Sequence, residues 1–233
     1  MTLSGLERDM GRERSTAGSV GTGRVPAYPA ANRAIDLAIG SIALVAVCPL
    51  LVGIRAAMIA DGDRGPFLYR ARRIGEGGRE ISVLKIRTMQ TGATGSALTS
   101  KHDARVTRLG RYLRRYKIDE LPQLWNVIRG EMALVGPRPE DPGFVDLDDP
   151  LHRRVFMARP GITGLAQLEY RDEAALLAGT DSELRYRETI LPAKLRLDSA
   201  YLDRRSVRTD LTILGRTVIS VLGRGSPPNG YRR

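Results

Sequence analysis

One cysteine, Cys48, two histidines, His102 and His152, and an aromatic content of 5% are the scarcities of this 233-residue chain. A lone thiol excludes an internal disulfide framework and suits a reducing compartment. Two separated histidines are too few for a histidine-based metal site, and both read as surface residues. So few rings leave no platform on which successive bases would stack, which argues against a single-strand nucleic-acid binder. No internal repeat is present. A removable leader is also unsupported: the apolar stretch begins too far into the chain and no small-residue cleavage site follows it.

What the chain has in excess is positive charge. Lys and Arg number 37 against 26 Asp and Glu, a net charge of +11, and most of the excess is Arg. Such a surface favours anionic partners: nucleic acid, an acidic bilayer face or nucleotide substrates. Guanidinium groups suit bidentate phosphate recognition better than ammonium groups do. The length allows one catalytic domain with a real core and short appendages.

From Leu37 to Ile54 run eighteen residues without a charge. That is borderline for crossing a hydrocarbon layer about 30 Å thick. Pro49 removes a helical hydrogen bond and clashes with the preceding turn, so a sharp bend is expected at Cys48-Pro49. Basic residues flank the segment on both sides (Arg24 and Arg33 before it, Arg55 and Arg64 after it), and two strong basic flanks disfavour a simple crossing. A helix–break–helix that enters and leaves through one leaflet satisfies both flanks. A kinked spanning anchor and a buried helix of a soluble protein remain open alternatives. Arg33 and Asp36, three apart on one helical face, are expected to pair near the headgroups.

Further along, Phe67 to Met89 reads as a hairpin around Gly75-Glu76-Gly77-Gly78, with Lys85 and Arg87 on one side of its second arm. Val106, Leu109, Leu113 and Tyr116 form an apolar stripe, and Arg105, Arg108, Arg111 and Arg115 a basic one. This amphipathic helix suits either a solvated face over a core or anionic lipid. In Gly136-Pro137-Arg138-Pro139 one arginine is held between two prolines of fixed φ, a stiff mount for a phosphate clamp or a rigid surface turn. Arg159 to Gly164, with Thr163, offers exposed backbone N–H groups as an anion nest. The acidic loop from Glu140 to Pro150 reads as solvated. Helical spacing resumes in Leu195–Leu202 and Leu211–Leu222.

The most informative feature is Ile118-Asp119-Glu120-Leu121-Pro122-Gln123-Leu124. Two adjacent carboxylates follow six cationic side chains (Arg105, Arg108, Arg111, Arg114, Arg115 and Lys117) with no acid among them. Beside so much positive charge both acids are expected to stay ionised. Asp119 is expected to cap the next helix, with Pro122 in its first turn and Gly130 at its end. An acid pair in this setting suits a phosphorylated substrate: one carboxylate attacks phosphorus while the other holds a divalent cation. The bland alternative is a helix cap with no further role.

Taken in order, Arg33 with Asp36, the proline-broken segment, Lys85-Ile86-Arg87-Thr88-Met89, Asp103 to Arg111, Asp119 to Leu124, Gly136 to Pro139, Pro160 to Gly164 with Gln167, and Asp198, Tyr201 and Asp210 resemble the bacterial sugar transferases, the monotopic polyprenyl-phosphate phosphoglycosyl transferases. The likeness covers Arg33 to Leu222. Departures are small: Cys48 stands where serine is common, Ile86 where phenylalanine is usual, and Arg70-Ala71 where a glutamine tends to fall. The resemblance implies a mainly α fold with a small β-hairpin, a proline-broken re-entrant membrane helix and interfacial amphipathic helices. Residues 1–31 would form a basic disordered tail, 32–60 the membrane segment, 61–222 the catalytic domain and 223–233 a second basic tail.

The resemblance further implies transfer of a sugar 1-phosphate from a UDP-sugar to undecaprenyl phosphate, with release of UMP, at the cytoplasmic face of a bacterial plasma membrane in exopolysaccharide or glycoconjugate synthesis. Asp119 would be the nucleophile and Glu120 the Mg²⁺ ligand. Arg114, Arg138, Lys85 and Arg87, with Pro137 and Thr163, would bind phosphate. An anionic bilayer is the expected surface and no nucleic acid is expected. The competing class is a non-enzymatic basic protein of membrane surfaces or nucleic acid.

Overall fold

A computed structural model describes residues 28–95, 103–171, 173–177 and 181–222. The expected tails, apart from 28–31, and His102 lie outside the described residues.

Among the described residues the architecture is mostly helical with two small two-stranded sheets. Helix α1, Ala30–Ala60, continues through Pro49 as one helical element. The helical assignment is thus uninterrupted at the expected break, with the proline inside the element. The element spans roughly 45 Å at about 1.5 Å per residue. Ile42, Val45 and Val52 on it are 70–73% exposed, an apolar face with no protein over it among the described residues. The opposite face packs on the domain at both ends. Near the start, Asn32, Asp36 and Gly40 are buried; near the end, Ile54 and Met58 are buried against Ile86 and Leu113.

The polar anchors of α1 differ from the expected Arg33–Asp36 pair. Arg33 gives Nη1 to the Val127 carbonyl at 2.6 Å and Nη2 to the Ile128 carbonyl at 2.9 Å. Asp36 instead accepts from Tyr28 Oη at 2.6 Å and from the Leu134 backbone N–H at 3.1 Å. Asn32 donates to Asp210 Oδ2 at 2.6 Å, and Tyr201 donates to the other oxygen of the same carboxylate at 2.7 Å. Spacing on one helix made the pair feasible, but free carbonyls at a neighbouring helix end compete better for a guanidinium.

The hairpin forms as expected: β1, Leu68–Ile74, pairs antiparallel with β2, Glu80–Ile86, and Ala71 lies opposite Val83 in the core. Helix α2, Arg108–Arg115, starts at Thr107, whose hydroxyl accepts from the Gly110 N–H at 2.9 Å. Helix α3 spans Gln123–Arg129 and stops at Gly130, with φ of 81°. Strand β3, Ala133–Val135, then pairs in parallel with β4, Gly161–Thr163, a second sheet that the sequence reading does not include. A Cβ on Gly161 would sit 2.0 Å from the Gly136 nitrogen, so this crossing requires the bare backbone.

Helix α4, Pro150–Phe156, is capped by Asp149, and the short helices α5, Leu165–Glu169, α6, Glu173–Leu176, and α7, Ser182–Arg185, follow it. A π-helical turn at Tyr186–Ile190 leads into α8, Leu191–Asp203, and the described chain ends with α9, Val207–Leu222. One core joins the hairpin's inner face to Leu124, Val127, Leu134, Leu202 and Ile213; a second gathers Ile74, Phe144, Val155, Tyr186 and Leu195.

Candidate active site

The acid pair is built by a sharp chain reversal between α2 and α3. Lys117 adopts left-handed backbone angles, φ 57° and ψ 19°, the one non-glycine residue with positive φ among the described residues. Such a conformation costs on the order of 1–2 kcal/mol. It opens a 3-10 turn over Ile118–Glu120 that leads directly into α3. Asp119 therefore sits inside this turn and does not cap the helix, as had been expected; Pro122 occupies the cap position. The turn is held from both sides. Ile118 packs with Leu113 and Ile86, while Leu124 and Val127 anchor α3 in the core.

Asn126 fastens this helix to the hairpin. Its Oδ1 accepts from the Leu84 N–H at 3.0 Å, and its Nδ2 donates to the Ser82 carbonyl at 2.9 Å and to Glu131 Oε2 at 2.6 Å. Those contacts hold β2 beside the turn and bring Lys85 to the acids. Lys85 Nζ lies 3.1 Å from Glu120 Oε1, and Arg138 Nη2 reaches the same oxygen at 3.3 Å. Asp119 is 7% exposed, and its Oδ1 is buried with no hydrogen-bond partner among the described residues.

Two adjacent carboxyls thus have opposite environments. Burial, with the Glu120 charge adding to it, pushes the Asp119 carboxyl above the ordinary aspartate range. Burial also acts upward on Glu120, but the Lys85 and Arg138 charges outweigh it and hold that carboxyl well below its ordinary range. The neighbouring charges expected to keep both acids ionised prevail at Glu120, whereas at Asp119 burial works against them. Burial lowers Lys85 from the usual lysine range, against the pull of Glu120.

The other expected site residues are distributed as follows. Arg114 donates Nε to Thr88 Oγ1 at 2.8 Å, and Asp119 is among the charges acting on it. Arg87 turns away from the acid pair: its Nη2 binds both Asp63 oxygens at 2.6 Å, and its other nitrogens reach the Pro66 and Met89 carbonyls. Thr163 exchanges a hydrogen bond with Thr217 at 2.7 Å. The Gly161 N–H, part of the expected anion nest, donates to the Pro137 carbonyl at 2.9 Å. Cys48 is exposed beside Pro49 in α1. His152 accepts from the Asp146 N–H at 3.2 Å, a structural contact.

Behind Arg138 lies a buried polar network that sequence reasoning misses. Lys194, 3% exposed, donates to Glu173 Oε2 at 2.8 Å and to Tyr186 Oη at 2.9 Å, and Tyr186 donates to Glu140 Oε2 at 2.5 Å. The Arg138 N–H donates to Asp198 Oδ2 at 3.2 Å, and burial raises the Asp198 carboxyl to about 7. The only hint in the sequence is Glu140 directly after the Gly136–Pro139 mount; Tyr186, to which it is hydrogen-bonded, is 46 positions away.

No group of three or more His, Cys, Asp or Glu side chains suited to a metal cage occurs among the described residues. Mg²⁺ asks for less: one or two carboxylates, with water and substrate phosphates completing its shell. The unpartnered Asp119 Oδ1 beside Glu120 supplies hard oxygen donors of that kind.

A sequence model of bacterial sugar transferases matches residues 27–224, which includes every element that forms this site. The chain belongs to the bacterial sugar transferase family. Three relatives of this transferase illustrate the range. An undecaprenyl-phosphate glucose phosphotransferase of Komagataeibacter xylinus is 39% identical over 80% of the chain and 35% of its own length. A UDP-glucose:undecaprenyl-phosphate glucose-1-phosphate transferase of Caulobacter vibrioides is 38% identical over 82% of the chain and 69% of its own length. An exopolysaccharide production protein of Rhizobium leguminosarum bv. phaseoli is 37% identical over 83% of the chain and 96% of its own length. The transferase thus spans about a third of the first relative, just over two thirds of the second and nearly all of the third.

Proposed function

We propose that this bacterial sugar transferase moves a sugar 1-phosphate from a UDP-sugar to undecaprenyl phosphate and releases UMP, in exopolysaccharide or glycoconjugate synthesis. The observation that carries the reading is the buried acid pair, with Glu120 ion-paired to Lys85 and Arg138 and Asp119 Oδ1 unpartnered. The names of the relatives supply the substrate class.

The chemistry divides one displacement into two. An Asp119 carboxylate oxygen attacks the phosphorus that bears the sugar, forming an aspartyl–phosphate bond as the bond to the UMP oxygen breaks. A phosphate oxygen of the acceptor then attacks the same phosphorus, and the Asp119 carboxylate leaves. The products are UMP and the polyprenyl pyrophosphoryl sugar. The raised pKa of Asp119 makes its carboxylate a stronger nucleophile than a solvated one. Lys85, Arg138 and Arg114 offset phosphate charge that would otherwise repel it. Glu120 would hold Mg²⁺, whose bound form supplies charge neutralisation on the pyrophosphate.

Placement at a membrane is part of the proposal. Helix α1 is the one helix long and apolar enough to cross a bilayer among the described residues. Yet both of its ends pack on the same catalytic body, Asn32 against Asp210 and Ile54 with Met58 against Ile86. A helix crossing a layer about 30 Å thick would put its ends on opposite sides. One-sided insertion, with Ile42, Val45 and Val52 toward lipid, keeps the exposed apolar face out of water. Entry and exit then share a leaflet, and the face is the cytoplasmic one, where UDP-sugars are available.

The non-enzymatic alternative loses ground because part of the basic excess is already ion-paired: Arg87 to Asp63 and Arg105 to Asp103. The test is to incubate the purified protein with undecaprenyl phosphate and UDP-glucose, then other UDP-sugars, and measure UMP. Release that requires both substrates supports the proposal; no release from any donor refutes it.

A further inference from the structure

A crevice next to the acid pair is lined by Arg73, Val83, Lys85, Gln123, Arg138 and Pro139. Its composition departs from the rest of the surface in two ways. Three cations converge on it, and the carboxylates that face them directly are Glu120, on Lys85 and Arg138, and Asp141, which takes Arg73 Nη1 at 2.7 Å. In addition, Gln123 is 3% exposed, yet its side-chain amide has no hydrogen-bond partner among the described residues. Its amide atoms are not among the fully buried unpaired ones, so they open into the crevice, where they are available to a ligand atom.

The chemistry of the missing partner follows from the lining. Lys85 and Arg138 each keep donors beyond those on Glu120, and Arg73 adds a third guanidinium or ammonium to the same wall. Lys85, Arg138 and Arg73 crowd three like charges along this one lining. An incoming anion relieves that crowding. A tetrahedral phosphoryl group presents several acceptor oxygens, which several convergent donors suit, and the Gln123 amide offers a donor without further charge. Gln123 directly follows Pro122 at the start of α3, so the acid pair and the amide are mounted on one rigid unit.

We propose that Arg73, Lys85, Gln123 and Arg138 form one phosphate subsite in which Gln123 is a neutral donor to a phosphoryl oxygen and Arg73 a third cation. This rests on the proposed transferase reaction for which phosphate occupies it. The shared chemistry is phosphoryl oxygen; the sources are the donor's pyrophosphate and the lipid acceptor's phosphate.

The test uses the full chain with four variants, Gln123→Leu, Gln123→Glu, Arg73→Met and Asp141→Asn. KM is measured for a UDP-sugar at saturating acceptor and for undecaprenyl phosphate at saturating donor. Gln123→Leu raises one of the two KM values about tenfold with kcat little changed, as removal of a hydrogen bond to a charged group requires. The affected KM identifies the source. Gln123→Glu, which keeps the side chain's shape and adds a negative charge, raises the same KM further and remains readable should the leucine variant not fold. Arg73→Met shares the pattern, whereas Asp141→Asn, which removes the ion pair and leaves Arg73 in place, stays near wild type. Unmoved KM values in the Gln123 variants overturn the proposal, as does an Asp141→Asn variant that reproduces Arg73→Met.

A separate arm distinguishes failure of the subsite from failure of the reaction. Inorganic pyrophosphate binding is measured on the wild type and on Gln123→Leu, without turnover. Weaker binding by the variant supports the subsite even if no UDP-sugar is turned over; equal binding, or none by either protein, overturns it.

Discussion

Glu120 Oε1 receives Lys85 Nζ at 3.1 Å and Arg138 Nη2 at 3.3 Å, while Oδ1 of the adjacent Asp119 receives no hydrogen bond among the described residues. The two acids share a backbone turn but not an electrostatic environment. Their different roles in the proposed reaction follow from that division: the paired carboxylate is fixed in its charged form, and the unpaired one is free to react.

Asp119→Asn therefore eliminates turnover, with UMP release reduced at least about a thousandfold, the scale expected when a nucleophile is removed. Glu120→Gln retains the shape but leaves Lys85 and Arg138 without their anion, and its rate falls about a hundredfold. Chelation by EDTA abolishes UMP release and added Mg²⁺ restores it; undiminished activity in chelator would remove the metal from the account.

The acid limb of kcat/KM reports Asp119. Because burial raises this carboxyl and it must be ionised to attack, activity declines on acidification at a pH above the usual aspartate value of 3.8. Lys85→Met removes a charge that lowers both acids, so the limb moves to still higher pH. A pH profile of the two proteins checks the direction; a limb that does not move contradicts it.

Asp198 gives a stability signature. Its carboxyl is raised from 3.8 to about 7 by burial, so the folded state holds its proton more tightly than the unfolded state does. The resulting stabilisation is fully present below about pH 4 and is lost as pH rises through about 7. Asp198→Asn, which cannot ionise, removes that slope. Denaturant midpoints measured between pH 4 and 8 should fall with pH in the wild type relative to the variant; parallel curves would contradict the buried acid.

Gly110→Ala tests the link between packing and the phosphate-facing arginine. A Cβ there would stand 2.2 Å from the Thr88 carbonyl oxygen, so α2 must move off Thr88, the partner of Arg114. Overpacking of this kind costs about 1–3 kcal/mol. The variant loses thermal stability and activity together, whereas Thr88→Val loses the Arg114 contact with less effect on folding.

Features set by local rules were legible in the sequence. The hairpin followed from apolar spacing around Gly75–Gly78, the stop at Gly130 from its left-handed cap, and the clustering of Lys85 and Arg138 on the acid pair from the resemblance. What was hidden depends on distant partners or on competition. Three-residue strands such as β3 and β4 carry no periodicity to read. Lys117 gave no sign of a left-handed backbone, because the sequence does not say that α2 and α3 must reverse so tightly. Asp119 had the composition of a cap, but the 3-10 turn over Ile118–Glu120 takes it in and leaves the cap position to Pro122. Arg87 had the same spacing as Lys85 and was captured instead by Asp63. Gln123 read as part of an apolar helix start, and only its place in the lining of the crevice marks it.

The central claim is that an Asp119 oxygen becomes esterified to the donor's sugar phosphate. Intact-protein mass spectrometry on enzyme mixed with UDP-sugar alone, quenched in acid, tests it most directly. The account predicts a mass gain equal to one sugar-phosphate group, mapped by peptide analysis to Asp119 and absent from Asp119→Asn. Product formation on later addition of undecaprenyl phosphate, with no such adduct at any time, would contradict it.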